Sequence, residues 1–437
     1  MIEGLRPYLE YRESDIPWAP VLPSHWQTER AKRLFTKMQR PVGPKDDVVT
    51  CFRDGRVTLR KNRRLQGFTE ATAFSGYQGI REGDLVIHGM DAFAGAIGVS
   101  DSNGKGTPVY NVCKPNPGIV AGFYAQTVRE MSRAQWILAL AKGIRERSTD
   151  FRYETFGNQF VPLPPPDEQA AIARFLEHAN RKIDGFIRAK RREMALITEM
   201  LVKVTEEAMQ RPEGEIMRLS TAAKLANRPI DRRSAETYTR VGLYNRGRGI
   251  FHKTPALGAE LGDSEFFWIR SGDLVISGQF AWEGAVALAR KKDDGCVASH
   301  RYPILRGRDQ IVSSEVLLAI LRTKFGGMLL DHHSRGAAGR NRPLNINTLL
   351  KEKVRIPPHV AQARIIGLLD QEDAVAQSVA KSIKLVEEYR TRLTADVVSG
   401  KLDVRPAAAK LPALTSASPP EPATESPDEP ELEETEA

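Results

Sequence analysis

Two stretches of the chain carry apolar residues at alternating steps of four and three. In the first, Ile172, Leu176, Ala179, Ile183 and Phe186 lead to Met194, Ile197, Leu201, Val204 and Ala208. Lys190 falls in that stripe, with one residue of drift after it. In the second, Ile365, Leu369, Ala376, Val379, Ile383, Val386, Leu393 and Val397 follow the same rule, and Glu372 interrupts it. This spacing predicts two heptad helices with a stutter. Neither stretch contains proline, so each can run about 40 residues, roughly 60 Å. Helices that long cannot hide a stripe against a small domain. The economical partner for each is the other, as a coiled coil; packing on its own globular half, or on another chain, is the alternative. A domain must fit between the end of the first helix and the start of the second, which favours an antiparallel pair.

The segments between the helices repeat. REGDLVIHGMDAFAGAIGV (Arg81–Val99) and RSGDLVISGQFAWEGAVAL (Arg270–Leu288) align without a gap through Gly83 and Gly272, and through Gly89 and Gly278. Gly-Asp reads as a turn and Leu-Val-Ile as a buried strand. A second echo, VPLPPPDEQAAIARFL (Val161–Leu176) and VRIPPHVAQARIIGLL (Val354–Leu369), runs strand-like residues into prolines and then into each helix. Proline suits a helix start, and Asp167 reads as an N-cap. The repeating unit is therefore a globular part, a proline turn and a long helix. A period near 190 residues is a duplicated domain, not a solenoid.

The 437 residues are 41% hydrophobic and 27% charged, the composition of a globular chain with no membrane-spanning run. MIEGLRPYLEYRESDIP has no basic start followed by an apolar core, which predicts no secretory signal and a cytoplasmic protein. Cys51, Cys113 and Cys296 are far apart and lack CxxC spacing, as in a reduced chain with no zinc site. The net charge is +9, yet residues 406–437 end in DEPELEETEA and are rich in Pro, Ala, Ser and Thr. That tail cannot build a core and is expected to be disordered. The folded part is thus more basic than the whole, which suggests a polyanionic partner.

The chemistry of a catalytic centre is missing. No GxxxxGK[ST] loop, no GxGxxG after a strand, no HExxH and no CxxC is present. Neither is an Asn-Pro-Pro-aromatic signature, nor a Glu-x-Lys downstream of Pro166-Asp167. His332 and His333 are adjacent, and on an extended segment their side chains would point opposite ways. The basic residues, by contrast, cluster in equivalent places: RDGRVTLRKNRR (Arg53–Arg64), YNRGRGIFHK (Tyr244–Lys253) and SRGAAGRNRP (Ser334–Pro343). Glycine lets backbone approach phosphate, and the guanidinium fork matches phosphate oxygens or the guanine O6/N7 edge. The DNA-binding candidates are Arg60, Lys61, Arg63, Arg64, Arg246, Arg248, Lys253, Arg335, Arg340 and Arg342, with Gln78 and Asn341 as readers of adenine edges. Any one of these arginines is equally a solvated surface residue; the clusters carry more weight than their members.

These features together resemble the DNA-specificity subunit of type I restriction-modification systems. PWAPVLPSHW (Pro17–Trp26) resembles the family's entry segment, the GDLVI strands its two recognition domains, and VPLPPPDEQAAIARFL its junction into the first helix. EEYRTRLTADVVSGKLDVR (Glu387–Arg405) resembles its C-terminal helix end, and YNRGRGIF and GAAGRNRPLN resemble stretches of one class of its recognition domains.

The resemblance implies an α+β chain with two similar target-recognition domains, residues 15–165 and 212–357. They would be separated by two long helices, 166–211 and 358–405, forming an antiparallel coiled coil with pseudo-twofold symmetry. It implies a non-catalytic subunit that reads a bipartite double-stranded DNA target and docks two methyltransferase subunits, with restriction subunits as further partners. Docking falls near Gln169, Ile172, Gln362 and Ile365. S-adenosylmethionine and ATP/Mg belong to the partners, and no cofactor to this chain. The second junction, His359-Val360-Ala361-Gln362, shares only the glutamine with Asp167-Glu168-Gln169, and the acidic tail departs from the family pattern. The rival readings are an enzyme with a divergent methyltransferase or nuclease centre, and a coiled-coil interaction protein without a DNA role.

Overall fold

A computed structural model describes residues 5–63, 76–140, 150–336 and 342–412. The chain divides into two compact units: one runs to Ile187 and resumes at Lys384, the other is Arg188–Ile383. Both long helices exist, at Pro166–Met209 and His359–Val398. The expected division set whole helices apart from the globular parts; the two units divide the chain differently. Each unit takes part of each helix into its core.

In the first unit, Gln27–Arg30 pairs antiparallel with Phe160–Leu163, the strand that leads into the first long helix. A four-stranded antiparallel sheet has the order Phe35–Lys37, Tyr110–Pro115, Leu85–His88, Ile97–Val99. The hairpin Val49–Cys51/Val57–Leu59 and the ribbon Gln78–Ile80/Gly104–Gly106 stand beside it. The second unit repeats the plan. Glu215–Arg218 pairs with Lys353–Ile356 before the second long helix, and the sheet order is Ala223–Leu225, Ile304–Gly307, Leu274–Ile276, Val286–Leu288. Its hairpin is Val241–Leu243/Ile250–His252 and its ribbon Phe266–Trp268/Val297–Ser299.

The repeated Gly-Asp-Leu-Val-Ile string now has a physical reason. Leu85 and Ile87 face one apolar cluster while Val86 faces another; Leu274 and Ile276 likewise oppose Val275. A strand covered on both faces reads as a continuous apolar run instead of an alternation. Gly83 and Gly272 turn the chain at φ +86° and +85°, a conformation that favours glycine. Asp84 then accepts from the Arg81 amide and pairs with Arg40. Asp273 accepts from the Arg270 amide and pairs with Arg228 and Arg306.

Each unit's core is completed by helix. Ile172, Phe175, Leu176 and Ala179 join Leu393, Val397 and Val398 in the first core. Leu201, Val204 and Ala208 join Ala361, Ile365, Leu368 and Leu369 in the second. The stripe thus meets both the other helix and the globular part. The helices run antiparallel within each unit. In the first, Asp184 meets Arg390 at 2.5 Å, and Glu168 lies 3.7 Å from Arg405, just past the second helix. In the second, Thr198 meets Glu372, while Glu215, just past the first helix, pairs with Ile356, just before the second.

Three local expectations are corrected. The buried stripe continues from Ile183 to Ile187, leaving Phe186 40% exposed, because one step of four follows the turn better there than one of three. Asp167 lies inside the first helical turn that Pro166 opens, so it is not the cap. The tail does not begin at residue 406: Arg405–Ala409 is helical, and Ala407 and Ala408 are buried in the first core. Residues 413–437 lie outside the described residues.

Asp273 is fully buried beneath two partly exposed arginines. Asp273→Ala would leave both without their carboxylate. Chemical denaturation should show a loss of about 1–3 kcal/mol, the cost of orphaning hydrogen-bond partners when the arginines left behind can still reach water.

Candidate nucleic-acid interface

In the second unit the hairpin tip Tyr244–Gly249 is bent by three residues with positive φ, Arg246 at 58°, Gly247 at 66° and Gly249 at 107°. The tip is docked, not free. The Arg246 amide donates to Glu283 O at 2.9 Å, and the Gly247 amide to Gly284 O at 2.7 Å. The Asn245 side-chain amide donates to the Glu283 carboxylate. The dock is the one-turn 3-10 helix Ala281–Glu283, which follows the Leu274–Ile276 strand. Arg248 donates to Asn245 O and lies over the Tyr244 ring at 5.3 Å.

The other basic segment reaches the same place. The helix Lys324–His332 packs on Ala281–Glu283, and beyond it the Leu344 amide donates to Gly278 O at 2.7 Å. Arg342 lies 4.8 Å from the Trp282 ring and pairs with Asp331 at 2.8 Å. Arg335 is exposed, with its Nε on His332 O. So two arginine-rich stretches, some ninety residues apart, converge on one aromatic turn. Arg340 and Asn341 lie outside the described residues. Lys253 is half-buried beyond the far end of the returning strand, away from the tip.

The first unit builds the equivalent from Phe52–Arg56. The Phe52 amide donates to Arg56 O, and Gly55 has φ +91°. Arg53, 59% exposed, pairs with Asp91 at 3.1 Å, next to the 3-10 turn Ala92–Ala94. Arg63 stacks over Phe52 at 4.3 Å and pairs with Asp54 at 2.7 Å. Lys61 pairs with Asp47 at 2.6 Å, and Arg60 bonds Thr50; both lie on the turn after the returning strand. Arg64 is outside the described residues. The exposed pair of Lys61 and the partly exposed pairs of Arg63 and Arg342 are of the kind that adds little to stability, so a phosphate can exchange with the carboxylate at small cost.

Five predicted residues are placed otherwise. Gln78 is buried, its amide spent on Tyr110 O at 2.6 Å, so it reads no base. Gln169 and Gln362, expected at a docking surface, are buried and lock the proline turns: their amides donate to Pro164 O at 2.8 Å and Pro357 O at 2.9 Å. Ile172 and Ile365 are fully buried core. None of these four side chains is exposed on the surface. The polar or junctional position that suggested an outward role is, in each case, an inward one.

His332 and His333 sit at a helix end, not on an extended segment; His333 is held by Thr348 at 2.8 Å and Glu352 at 3.0 Å. Cys296 lies 3.7 Å from His252 Nε2, but the same nitrogen holds Asp293 at 2.8 Å. One nitrogen cannot serve both ends of a nucleophile–base–acid relay. Burial also raises the Cys296 thiol pKa and pushes Cys51 up to about 12. Among the described residues, no group of three His, Cys, Asp or Glu suits a metal ion, and no helix is long and apolar enough to cross a membrane.

Sequence reasoning passed over Arg53, Trp282 and the Asn245–Glu283 pair. Arg53 had a signal: it stands two residues before a turn glycine, Gly55, in the equivalent hairpin to the one in which Arg246 immediately precedes Gly247. Trp282 and Phe93 also fall at the same step of the repeated turn.

No protein-family model matches the chain, and no curated protein does. Solved structures do. A chain from a structure described as the basis of complex assembly and conformational transition of the type I R-M system aligns over 86% of this chain and 98% of its own. The TM-score is 0.55 and the identity 14%. The HsdS subunit from Thermoanaerobacter tengcongensis aligns over 88% and 98%, at TM-score 0.43 and 16% identity. The S subunit of a type I restriction-modification system from M. genitalium aligns over 85% and 96%, at 0.42 and 13%. The first of these likenesses establishes a shared fold.

All three cysteines are buried. A thiol reagent at pH 8 should leave the native chain unlabelled and modify all three positions once denaturant is added; mass spectrometry of the intact protein reads the difference.

Proposed function

We propose that this chain is the DNA-specificity subunit of a type I restriction-modification system, a binding protein and not an enzyme. The observation that carries the reading is the duplicated tip. In both units a hairpin presents an exposed arginine, Arg53 or Arg246, over the turn that follows the Leu-Val-Ile strand. Two equivalent basic tips suit two half-sites of double-stranded DNA. Lysines and arginines there set affinity through phosphates, and a few side chains read base edges. Each correctly read base pair adds about 1–3 kcal/mol, so two linked readers discriminate where one cannot.

The fold shared with a type I restriction-modification chain supports the same reading. Its partners are two methyltransferase subunits carrying S-adenosylmethionine, with restriction subunits using ATP and Mg, in the cytoplasm. With the four predicted docking side chains turned inward, docking falls to exposed residues of the helices. Base methylation on the partner requires the adenine to leave the stack; this chain's part is to hold the duplex in register. The Cys296–His252–Asp293 geometry gives the enzyme reading no support.

The test is selection of sites from randomised duplexes by this chain assembled with its methyltransferase subunits. The expected product is two short motifs at fixed separation, bound less tightly as salt rises. Arg246→Ala with Arg248→Ala should loosen one motif, and Arg53→Ala the other. A single unsplit motif, salt-insensitive binding, or methyl transfer by the chain alone would contradict the reading.

A further inference from the structure

One arginine recurs beneath the tips. The helices Ala121–Arg133 and Ser314–Arg322 occupy the same place in the two units, and Arg129 and Arg322 share the spacing that relates Gln169 to Gln362. In the first unit Arg129 Nη1 donates to Gly95 O at 2.9 Å and Arg53 O at 3.4 Å. It therefore ties the tip to the turn on which the tip rests. A Cβ at Gly55 would lie 1.9 Å from the same nitrogen. Burial pulls the Arg129 pKa down to about 10, with neighbouring Arg133 acting in the same direction. A cation is held there despite that cost.

In the second unit, a Cβ at Gly247 would lie 3.3 Å from Arg322 Nε. The far side of the guanidinium grips Glu372 of the second long helix with both nitrogens, at 2.6 and 2.7 Å. Glu372 also accepts from Thr198 of the first long helix at 2.5 Å. Both carboxylate oxygens are used, and the pair is almost buried. The acidic residue that breaks the apolar stripe is thus the anchor of the arginine under the tip.

We propose that Arg129 and Arg322 are positioning residues, each fixing the reading tip of its own unit without touching DNA, with Glu372 and Thr198 anchoring Arg322 to the helix pair. This rests on the DNA-reading role proposed above. The guanidinium suits both places: at Arg129 its nitrogen reaches Arg53 O and Gly95 O, and at Arg322 its planar fork takes both Glu372 oxygens while its Nε edge lies against Gly247; an ammonium is a point charge without that fork.

The experiment selects sites from randomised duplexes with the assembled complex carrying Arg322→Lys, Arg322→Ala, Glu372→Gln or Arg129→Ala, alongside unfolding midpoints. Arg322→Lys and Glu372→Gln keep the shape and guard against a variant that does not fold. The expected result for the Arg322 and Glu372 variants is loss of base preference in the half-site read by the second unit. Affinity for the parental site should fall about tenfold or more, as for one base pair no longer read; the other half-site should be unchanged. Arg129→Ala should do the converse. Folded variants that keep both motifs, or that loosen both equally, overturn the inference while leaving the DNA-reading role intact. A wild-type complex that selects no split site overturns both.

Discussion

Neither globular unit closes its own hydrophobic core; both depend on helix. The Leu-Val-Ile strands are covered on both faces, and the faces toward the long helices are finished by residues far away in the chain. Val397 and Val398 close the first core, Leu201 and Val204 the second. This constraint explains why an apolar stripe persists along helices with 44 and 40 residues. Each part of the stripe is needed by a different unit. It also explains where polarity is tolerated: Glu372 interrupts the stripe where Arg322 and Thr198 are available to satisfy both of its oxygens.

The closed cores leave the hairpin tips as the adjustable part. The second tip is held to its one-turn helix mostly by backbone hydrogen bonds and the first by the side chains of Arg53, Asp91 and Arg129, so the tips can differ between units without disturbing the sheet. Asn245, Arg246 and Arg248 in one unit correspond to a shorter Arg53-Asp54-Gly55 turn in the other. Such a division, with a plan shared by both units beneath and differing tips above, suits the proposed reading of two half-sites.

Much of this was legible in the pattern of residues. Continuous Leu-Val-Ile runs after Gly-Asp, proline before a heptad stripe, and the gapless echo of both located the duplication, the helices and their antiparallel order. Two of the basic clusters fall on the equivalent hairpins of the two units. Side-chain direction was not legible. Gln78, Gln169 and Gln362 carry polar amides that would suit a surface, yet each amide satisfies a buried carbonyl that no periodicity reveals. Ala407 and Ala408 looked like a low-complexity tail because two alanines carry little hydrophobic signal; their burial depends on the first core being open at that point. Arg129 and Arg322 carry no signal of their own in the sequence; only the fold sets the first against Arg53 O and Gly95 O and the second between Glu372 and Gly247.

The most direct test is a genome-wide map of methylated adenines in a host expressing a type I methyltransferase subunit from the same source with and without this chain. Methylation is expected at a split motif with one fixed gap, present only when the chain is present. Methylation that is unchanged when the chain is omitted would contradict the proposed role.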